Sequence, residues 1–112
     1  MLIVGTSFHE NNCRLLFGKR NKHNFGSHMA LLEAEPNNIH DPNAIKVSIR
    51  GRKVGHIKRE LTPLFKSKLP LKVTALVSGG WNNNKFLWHI ELLLGRMTDK
   101  TNKTSCQKLI GE

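Results

Sequence analysis

The stretch from Glu35 to Glu60, E-P-N-N-I-H-D-P-N-A-I-K-V-S-I-R-G-R-K-V-G-H-I-K-R-E, decides the fold of this chain. An acidic, asparagine-rich turn at 35–43 runs into a short apolar strand at 44–49. The charged turn at 50–52 then leads into a second strand at 53–57, which ends in V-G-H. The pattern predicts a β-hairpin that follows a polar loop.

The rest of the sequence predicts further strands, and one helix that begins at the end of this stretch. Apolar runs predict the strands at 2–5, 29–35, 71–77 and 86–94. The helical spacing of Leu61, Leu64, Phe65 and Leu69 predicts a short amphipathic helix at about 58–69. The remaining predictions are a further short strand at 15–17, a loop at 21–26 and a turn at 78–84.

About six short strands and one helix, joined by Gly and Asn turns, predict a mainly β fold: a small β-barrel, closed or partly closed. A length of 112 residues fits one domain. We expect that domain at 1–95, followed by a polar, weakly ordered tail at 96–112.

The charge of the chain points to a polyanionic partner. The sequence has 18 Lys and Arg against 8 Asp and Glu, a net charge of +10. Nine of the basic residues lie between Lys46 and Lys72, where Glu60 is the only acid, and they can line one wall of a groove. Lys58 and Arg59, at a strand-to-helix junction, suit phosphate contacts. The residues of the 50–53 segment either touch the ligand or form only a charged turn.

The sequence also indicates the cellular compartment in which the protein works. Cys13 and Cys106 lie far apart in no C-x-x-C pattern, so neither a zinc site nor another cofactor is predicted. Residues 1–5 show no secretion signal, and no run approaches the ~20 apolar residues of a membrane span. We expect an intracellular protein with free thiols: in the cytoplasm or nucleoid of a bacterium or phage, or in a eukaryotic nucleus.

The polar loop holds the first candidate binding residues. Asn and Asp before a strand often bond their own backbone, so Asp41 and Asn43 are assigned to the turn itself. Asn37, Asn38 and His40 are predicted to face a ligand: the amides can contact base edges or a hydroxyl, and the imidazole can stack on a base.

Three further side chains are weighed individually. His56 is either a structural histidine or a ligand contact, because Gly55 before it indicates close approach of another backbone or a ligand. Trp81, in the predicted 78–84 turn, is either an exposed stacking platform or folded over the barrel end. Trp88 alternates with apolar residues and is predicted to be in the core.

The order E-P-N-N-I-H-D-P-N-A-I-K-V, followed within about ten residues by V-G-H, resembles the HIRAN domain family. The resemblance runs from Ile3 to about Gly95 and is strongest from Glu35 to Leu61. It implies an OB-like barrel that binds single-stranded DNA or a 3′ strand end, often fused to SNF2-type translocases or nucleases. It implies a DNA-end pocket made of Ser7, Phe8, Asn37, Asn38, His40, Asp41, His56 and Arg59.

Catalytic motifs are absent from the sequence: there is no Gly-rich phosphate loop, no G-x-S-x-G and no H-x-E…P-C-x-x-C. The sequence therefore predicts a non-catalytic DNA-binding module that acts in DNA repair or replication-fork processing, with a helicase, translocase or nuclease as partner. The chain is either a complete small protein that acts through a partner, which Met1 favours, or a fragment of a larger protein. The alternatives are a basic OB-like RNA-binding protein and a metal-dependent nuclease.

Overall fold

The computed structural model describes residues 1–18 and 24–94. The regular elements are α1 (Glu10–Phe17), β1 (Asn24–Ala34), β2 (Ile45–Ile49), β3 (Arg52–His56), β4 (Leu71–Asn82) and β5 (Lys85–Leu93). Single 3₁₀ turns occupy Thr6–His9, Arg59–Leu64 and Lys66–Lys68.

The five strands form one antiparallel sheet in the order β3-β2-β1-β4-β5, curled into a half-barrel. The N-terminal segment, residues 1–4, hydrogen-bonds to both edges of this sheet: Val4 bridges to His56 on β3, and Leu2 bridges to Glu91 on β5. The prediction of a mainly β fold with a partly closed barrel is confirmed. The predicted strand at 2–5 consists only of these isolated bridges, so the sheet has five strands rather than six.

The concave face of the sheet holds the core. Along β5, buried residues alternate with exposed or half-buried ones, as expected for a sheet with one face in water. The fully buried side chains include Leu32, Ile45, Val47, Ile90 and Leu92. Trp88, 4% exposed, lies among them as predicted, with its ring centroid 4.9 Å from that of Phe25.

The position of the helix differs from the prediction. Residues 59–68 form two 3₁₀ turns, with Pro63 inside the first, because proline cannot donate the backbone hydrogen bond that an α-helix needs. The α-helix lies instead at Glu10–Phe17, where a strand was predicted at 15–17. Its Cys13, Leu16 and Phe17 pack on the core at i, i+3 and i+4. Among the described residues no helix is long and apolar enough to cross a membrane.

The turn between β2 and β3 holds α1 against the sheet. Arg50 donates a 2.7 Å hydrogen bond to the carbonyl oxygen of Leu16. Asn12 donates from Nδ2 to the carbonyl oxygen of Lys53, at 2.8 Å. Arg50 thus has a structural contact in this turn, and its side chain remains exposed.

Strands β4 and β5 are longer than predicted. The turn predicted at 78–84 is reduced to Asn83 and Asn84, both with positive φ, as a two-residue hairpin turn requires. The predicted loop at 21–26 overlaps β1, which begins at Asn24; its residues 21–23 and the predicted tail at 96–112 lie outside the described residues.

Cys13 is a core residue rather than a reactive thiol. Its side chain is buried and not in a disulfide, and burial, together with the charge of Glu10, raises the pKa of the thiol to about 11. Since the thiolate is the reactive form, this cysteine is protected from oxidation and metal binding.

Candidate nucleic-acid interface

A cluster of polar side chains gathers around Glu35, at the end of β1. His56 Nε2 lies 2.7 Å from Glu35 Oε1, and Lys53 Nζ donates to Glu35 Oε2. Asn38 Nδ2 donates to Oε1 at 2.9 Å. The sheet brings these residues together because β3 pairs with β2 and β2 with β1, so the end of β3 lies near the loop after β1. We call Glu35, Asn38, Lys53 and His56 the Glu35 cluster.

The carboxyl group of Glu35 stays ionised. Partial burial alone raises its pKa, but the hydrogen bonds from Lys53, Asn38 and His56 outweigh burial and lower the pKa to about 2. An ionised carboxylate can only accept hydrogen bonds, so Nε2 of His56 donates to it. This fixes the orientation of the imidazole and leaves Nδ1 as its second hydrogen-bonding atom.

His9 stands beside this cluster. It ends the 3₁₀ turn Thr6–His9, and its ring centroid lies 6.2 Å from that of His56. Partial burial lowers the pKa of His9, and the nearby Lys53 and His56 lower it further, against an opposing effect of Glu35. Burial and the positively charged neighbours therefore both favour the neutral form of His9.

The asparagine loop is shaped by its own side chains. Asn38 Oδ1 accepts hydrogen bonds from the backbone N–H groups of His40 and Asp41, at 2.8 and 3.0 Å. Asp41 Oδ1 accepts one from the backbone N–H of Asn43 at 2.9 Å, which confirms the predicted turn role of this aspartate. Asn38 thus uses both ends of its amide within the protein, whereas the side chains of Asn37 and His40 are exposed.

Arg59 and Lys58 are both exposed, as expected of phosphate contacts. The side chain of Arg59 is 78% exposed, and its Nε lies 3.6 Å from Asp41 Oδ2. Lys58 immediately precedes the 3₁₀ turn that Arg59 begins. Lys58 and Arg59 therefore lie just after a strand, as predicted, but the chain continues into a 3₁₀ turn and not into an α-helix.

Two apolar side chains stand out into solvent next to residues of the site. Phe8 is 86% exposed and directly precedes His9; Ile39 is 90% exposed and directly follows Asn38. Ser7 is exposed and lines a separate cavity of about 200 Å³ together with Lys85 and Trp88. Phe8 is carried by the same 3₁₀ turn as His9, whose ring lies beside that of His56, and Ser7 lies against the β4–β5 hairpin.

Trp81 lies on β4 rather than in a turn. Its side chain is 55% exposed, and its ring meets Phe86 edge to face with centroids 5.4 Å apart. Trp81 pairs with Phe86 in the β4–β5 ladder, so both point to the same face of the sheet. The ring is therefore partly exposed and partly packed against the end of the core.

The nine basic residues between 46 and 72 fall into several local groups. Lys53 belongs to the Glu35 cluster, and Lys66 donates to Asn43 Oδ1 at 2.9 Å. Lys46, Arg50 and Lys72 line a different, open cavity of about 370 Å³ that also includes Met29. These basic side chains therefore have different immediate partners, although Lys46 is the cross-strand partner of His56 in the β2–β3 ladder and so lies on the same face of the sheet.

Sequence reasoning missed His9, and it missed the role of Glu35. His9 belongs to no sequence motif. It lies beside His56 in the fold, although His56 is 47 positions later in the sequence. Glu35 was predicted only as the first residue of the polar turn at 35–43. Among the described residues, no three His, Cys, Asp or Glu side chains are grouped so as to hold a metal ion.

Comparison with known proteins agrees with the resemblance seen in the sequence. The helicase-like transcription factor of Mus musculus is 59% identical over 34 residues, which cover 30% of this chain and 3% of that protein. The crystal structure of the HIRAN domain of human HLTF aligns with a TM-score of 0.45 at 28% identity, over 81% of this chain and 70% of that one. Residues 1–85, well over half of the chain, match the profile of the HIRAN domain. The chain therefore belongs to the HIRAN domain family.

Proposed function

We propose that this chain is a non-catalytic DNA-binding module that grips single-stranded DNA at or near a 3′ end. Membership of the HIRAN family supports a DNA-binding module in general. The observation that carries the finer proposal is the ring of Phe8, which is 86% exposed on a 3₁₀ turn beside the Glu35 cluster. An aromatic side chain held out from rigid backbone, next to hydrogen-bonding and cationic groups, suits an unpaired base and its phosphate.

Each part of the interface has a distinct role in this proposal. Phe8 stacks on a base, and the exposed side chains of Asn37 and His40 contact its edge or the terminal hydroxyl. Asn38 and Asp41 hold the loop in shape, as their hydrogen bonds indicate. The cationic pair Lys58 and Arg59 holds the phosphate backbone, which adds affinity without reading sequence. Ser7, Trp81 and His56 complete the proposed contact set.

The binding should be largely electrostatic. A net charge of +10 and an interface of about three to five phosphate contacts predict that log K falls with log salt at a slope of roughly −2 to −3.5 for a single strand. Fluorescence anisotropy with a labelled oligothymidine between 50 and 200 mM salt measures this slope. An affinity that does not change over this range contradicts nucleic-acid binding.

Selectivity for the strand end is tested with the same assay. A strand with a free 3′ hydroxyl should bind more tightly than the same strand with a 3′ phosphate, because polar groups placed for a hydroxyl discriminate against its replacement. Equal affinities would leave a general single-strand binder. Competition with an RNA oligonucleotide of matching sequence decides against the RNA-binding alternative if DNA is preferred.

In this proposal the module delivers another activity to DNA rather than processing DNA itself. The match to the helicase-like transcription factor covers 3% of that protein, and this motivates the proposal of a helicase, translocase or nuclease partner in repair or fork processing. The proposed setting is intracellular. Incubating a labelled strand with the purified chain and Mg²⁺ or Mn²⁺ tests the absence of catalysis; cleavage that purification cannot remove would overturn it.

A further inference from the structure

The outer face of the sheet carries apolar side chains that the described part of the chain leaves in water. Four of them are each between 41% and 58% exposed, and we call them the outer patch: Leu2, Met29, Leu76 and Leu93. Residues directly opposite each other in an antiparallel ladder point to the same face, so the strand register shows which side chains are neighbours. Thr74 lies between Met29 and Leu93 in one row. Glu91 lies between the other two members of the patch in the next row.

The outer patch continues into the open cavity of about 370 Å³ on the same face, whose lining includes Met29 and Leu31. Two lysines line this cavity as well. Lys72 lies directly opposite Leu31, and Lys46 lies opposite Glu33, two residues further along β1. Strands lie about 4.8 Å apart and rise about 3.3 Å per residue, so the Cα atoms of the two lysines are about 12 Å apart.

The charge next to the outer patch is positive. Lys72 is exposed, and none of the described acidic side chains forms an ion pair with it. Lys46 lies 3.9 Å from Glu33, which is an ion pair without a close hydrogen bond. Glu91, inside the patch, faces the N-terminal ammonium group at 3.8 Å. The surface that complements this face therefore combines apolar side chains with carboxylates.

Three other occupants fit this face less well. A nucleic-acid strand can pair with the lysines, but the outer patch holds no aromatic ring on which an unpaired base could stack. A second copy of this chain, with a net charge of +10, would set the same lysines against each other in a symmetric dimer. Residues 96–112 carry four Lys and Arg against two Asp and Glu, so this segment of the chain has the same sign of charge as the lysines.

The position of the patch also favours a helical partner. Both edge strands of the sheet already pair with residues 1–4, through Val4 on β3 and Leu2 on β5. The outer face therefore offers side chains and not free backbone groups. An α-helix satisfies its own backbone hydrogen bonds and presents apolar side chains at i, i+3, i+4 and i+7.

We propose that the outer patch docks an acidic amphipathic helix of a partner protein. Apolar side chains of the helix pack on the patch and enter the cavity beside Leu31, and carboxylates of the helix pair with Lys72 and Lys46. A separation of about 12 Å corresponds to about eight residues of helix, so the two carboxylates lie about two turns apart. This inference concerns a second surface and does not depend on DNA binding.

The charge part of the inference is tested with two labelled peptides in fluorescence anisotropy. Both are helical, about 18 residues long, with a stripe of leucines; glutamates flank the stripe in one and lysines in the other. Lys72→Glu should weaken binding of the glutamate peptide about three- to tenfold and strengthen binding of the lysine peptide. Lys66→Glu changes the net charge equally on the 3₁₀ turn Lys66–Lys68, and it should have little effect on either peptide.

The apolar part is tested without a change of charge. Met29→Gln combined with Leu76→Gln should weaken binding of the glutamate peptide about tenfold or more, because apolar anchors dominate such contacts. Leu15→Gln is the matched control, since Leu15 is 67% exposed on α1, away from the outer patch, and should leave peptide binding unchanged. Both proteins should bind oligothymidine as the wild-type chain does.

The remaining outcomes overturn the inference. A glutamate peptide that does not bind at 1 mM, or whose binding Lys72→Glu and the Met29 and Leu76 double variant leave unchanged, contradicts the docking surface. Weaker oligothymidine binding by the double variant would assign the face to nucleic acid. A wild-type dimer that the double variant converts to a monomer in sedimentation would assign it to a second copy. The proposed function stands in each of these cases and fails only if the wild-type chain does not bind DNA.

Discussion

Glu35 accepts hydrogen bonds from side chains of three separate positions: Asn38, Lys53 and His56. Its pKa of about 2 lies below the ordinary 4.5, so the folded protein binds a proton less readily at this site than the unfolded chain does. The stability gained from the ionised carboxylate is therefore complete above about pH 4.5 and is lost as the pH falls towards 2.

Replacing Glu35 with Gln should lower the free energy of unfolding at pH 7 by about 1–2 kcal/mol, because Lys53 loses its charged partner. The difference from the wild-type chain should shrink as the pH falls from 4.5 to 2. Urea unfolding at pH 7, 4 and 2.5 measures it. Glu33→Gln is the control, since Glu33 meets only Lys46, at 3.9 Å, and should show little change. A deficit that stays constant with pH would contradict the pKa argument.

Some of these residue roles could be predicted from the sequence and others could not. The turn role of Asp41 was predictable because Asp bonds a backbone N–H two residues later, which is a local rule. The partners of Glu35 were not, since Lys53 and His56 lie 18 and 21 positions away and meet it only through the pairing of three strands. The close approach predicted at Gly55 is confirmed, and the neighbour is the protein's own backbone at Val4.

Local periodicity predicted the strands better than the helix. The spacing of Leu61, Leu64 and Phe65 was helical, yet proline and short length left 3₁₀ turns. The real helix has two asparagines in its first turn and a low apolar content, so its pattern was weak. Its only clear signals were the i, i+3, i+4 spacing of Cys13, Leu16 and Phe17 and the Gly18 that ends it.

The exposed Phe8 on the 3₁₀ turn Thr6–His9 should contribute to DNA binding and contribute little to the stability of the fold. Phe8→Ala should weaken single-stranded DNA binding by about 1–3 kcal/mol, the usual range for base stacking on one aromatic ring. The melting temperature should stay unchanged, because the exposed ring buries little apolar surface against the core. Anisotropy and thermal unfolding measure the two quantities.

The matched control for this element is Leu64→Ala. Leu64 is an exposed apolar side chain on another 3₁₀ turn, Arg59–Leu64, so its loss removes similar surface. It should leave DNA affinity unchanged. If both variants weaken binding equally, the effect of Phe8 is general hydrophobic loss and not stacking at this site.

Residues 1–4 link the two edge strands of the half-barrel and lead directly into the turn that carries Phe8 and His9. Val4 exchanges two backbone hydrogen bonds of 2.9 Å with His56, and the N–H of Ile3 donates to Ile90. This arrangement needs a glycine at position 55. A Cβ atom there would lie 2.6 Å from the carbonyl oxygen of Val4 and 2.8 Å from Cδ1 of Ile3.

Gly55→Ala should therefore push the N-terminal segment away from β3 and lower both stability and DNA affinity. We expect a loss of about 1–3 kcal/mol in the free energy of unfolding, as for overpacking elsewhere, and urea unfolding measures it. The protein that stays folded should bind oligothymidine more weakly.

Adding Ile3→Ala removes the side-chain clash but not the one with the Val4 carbonyl, so the double variant should not regain stability. A double variant as stable as Ile3→Ala alone would show that only the side chain was in the way. A Gly55→Ala protein that is destabilised but keeps full affinity would show that the DNA interface does not depend on the docking of residues 1–4.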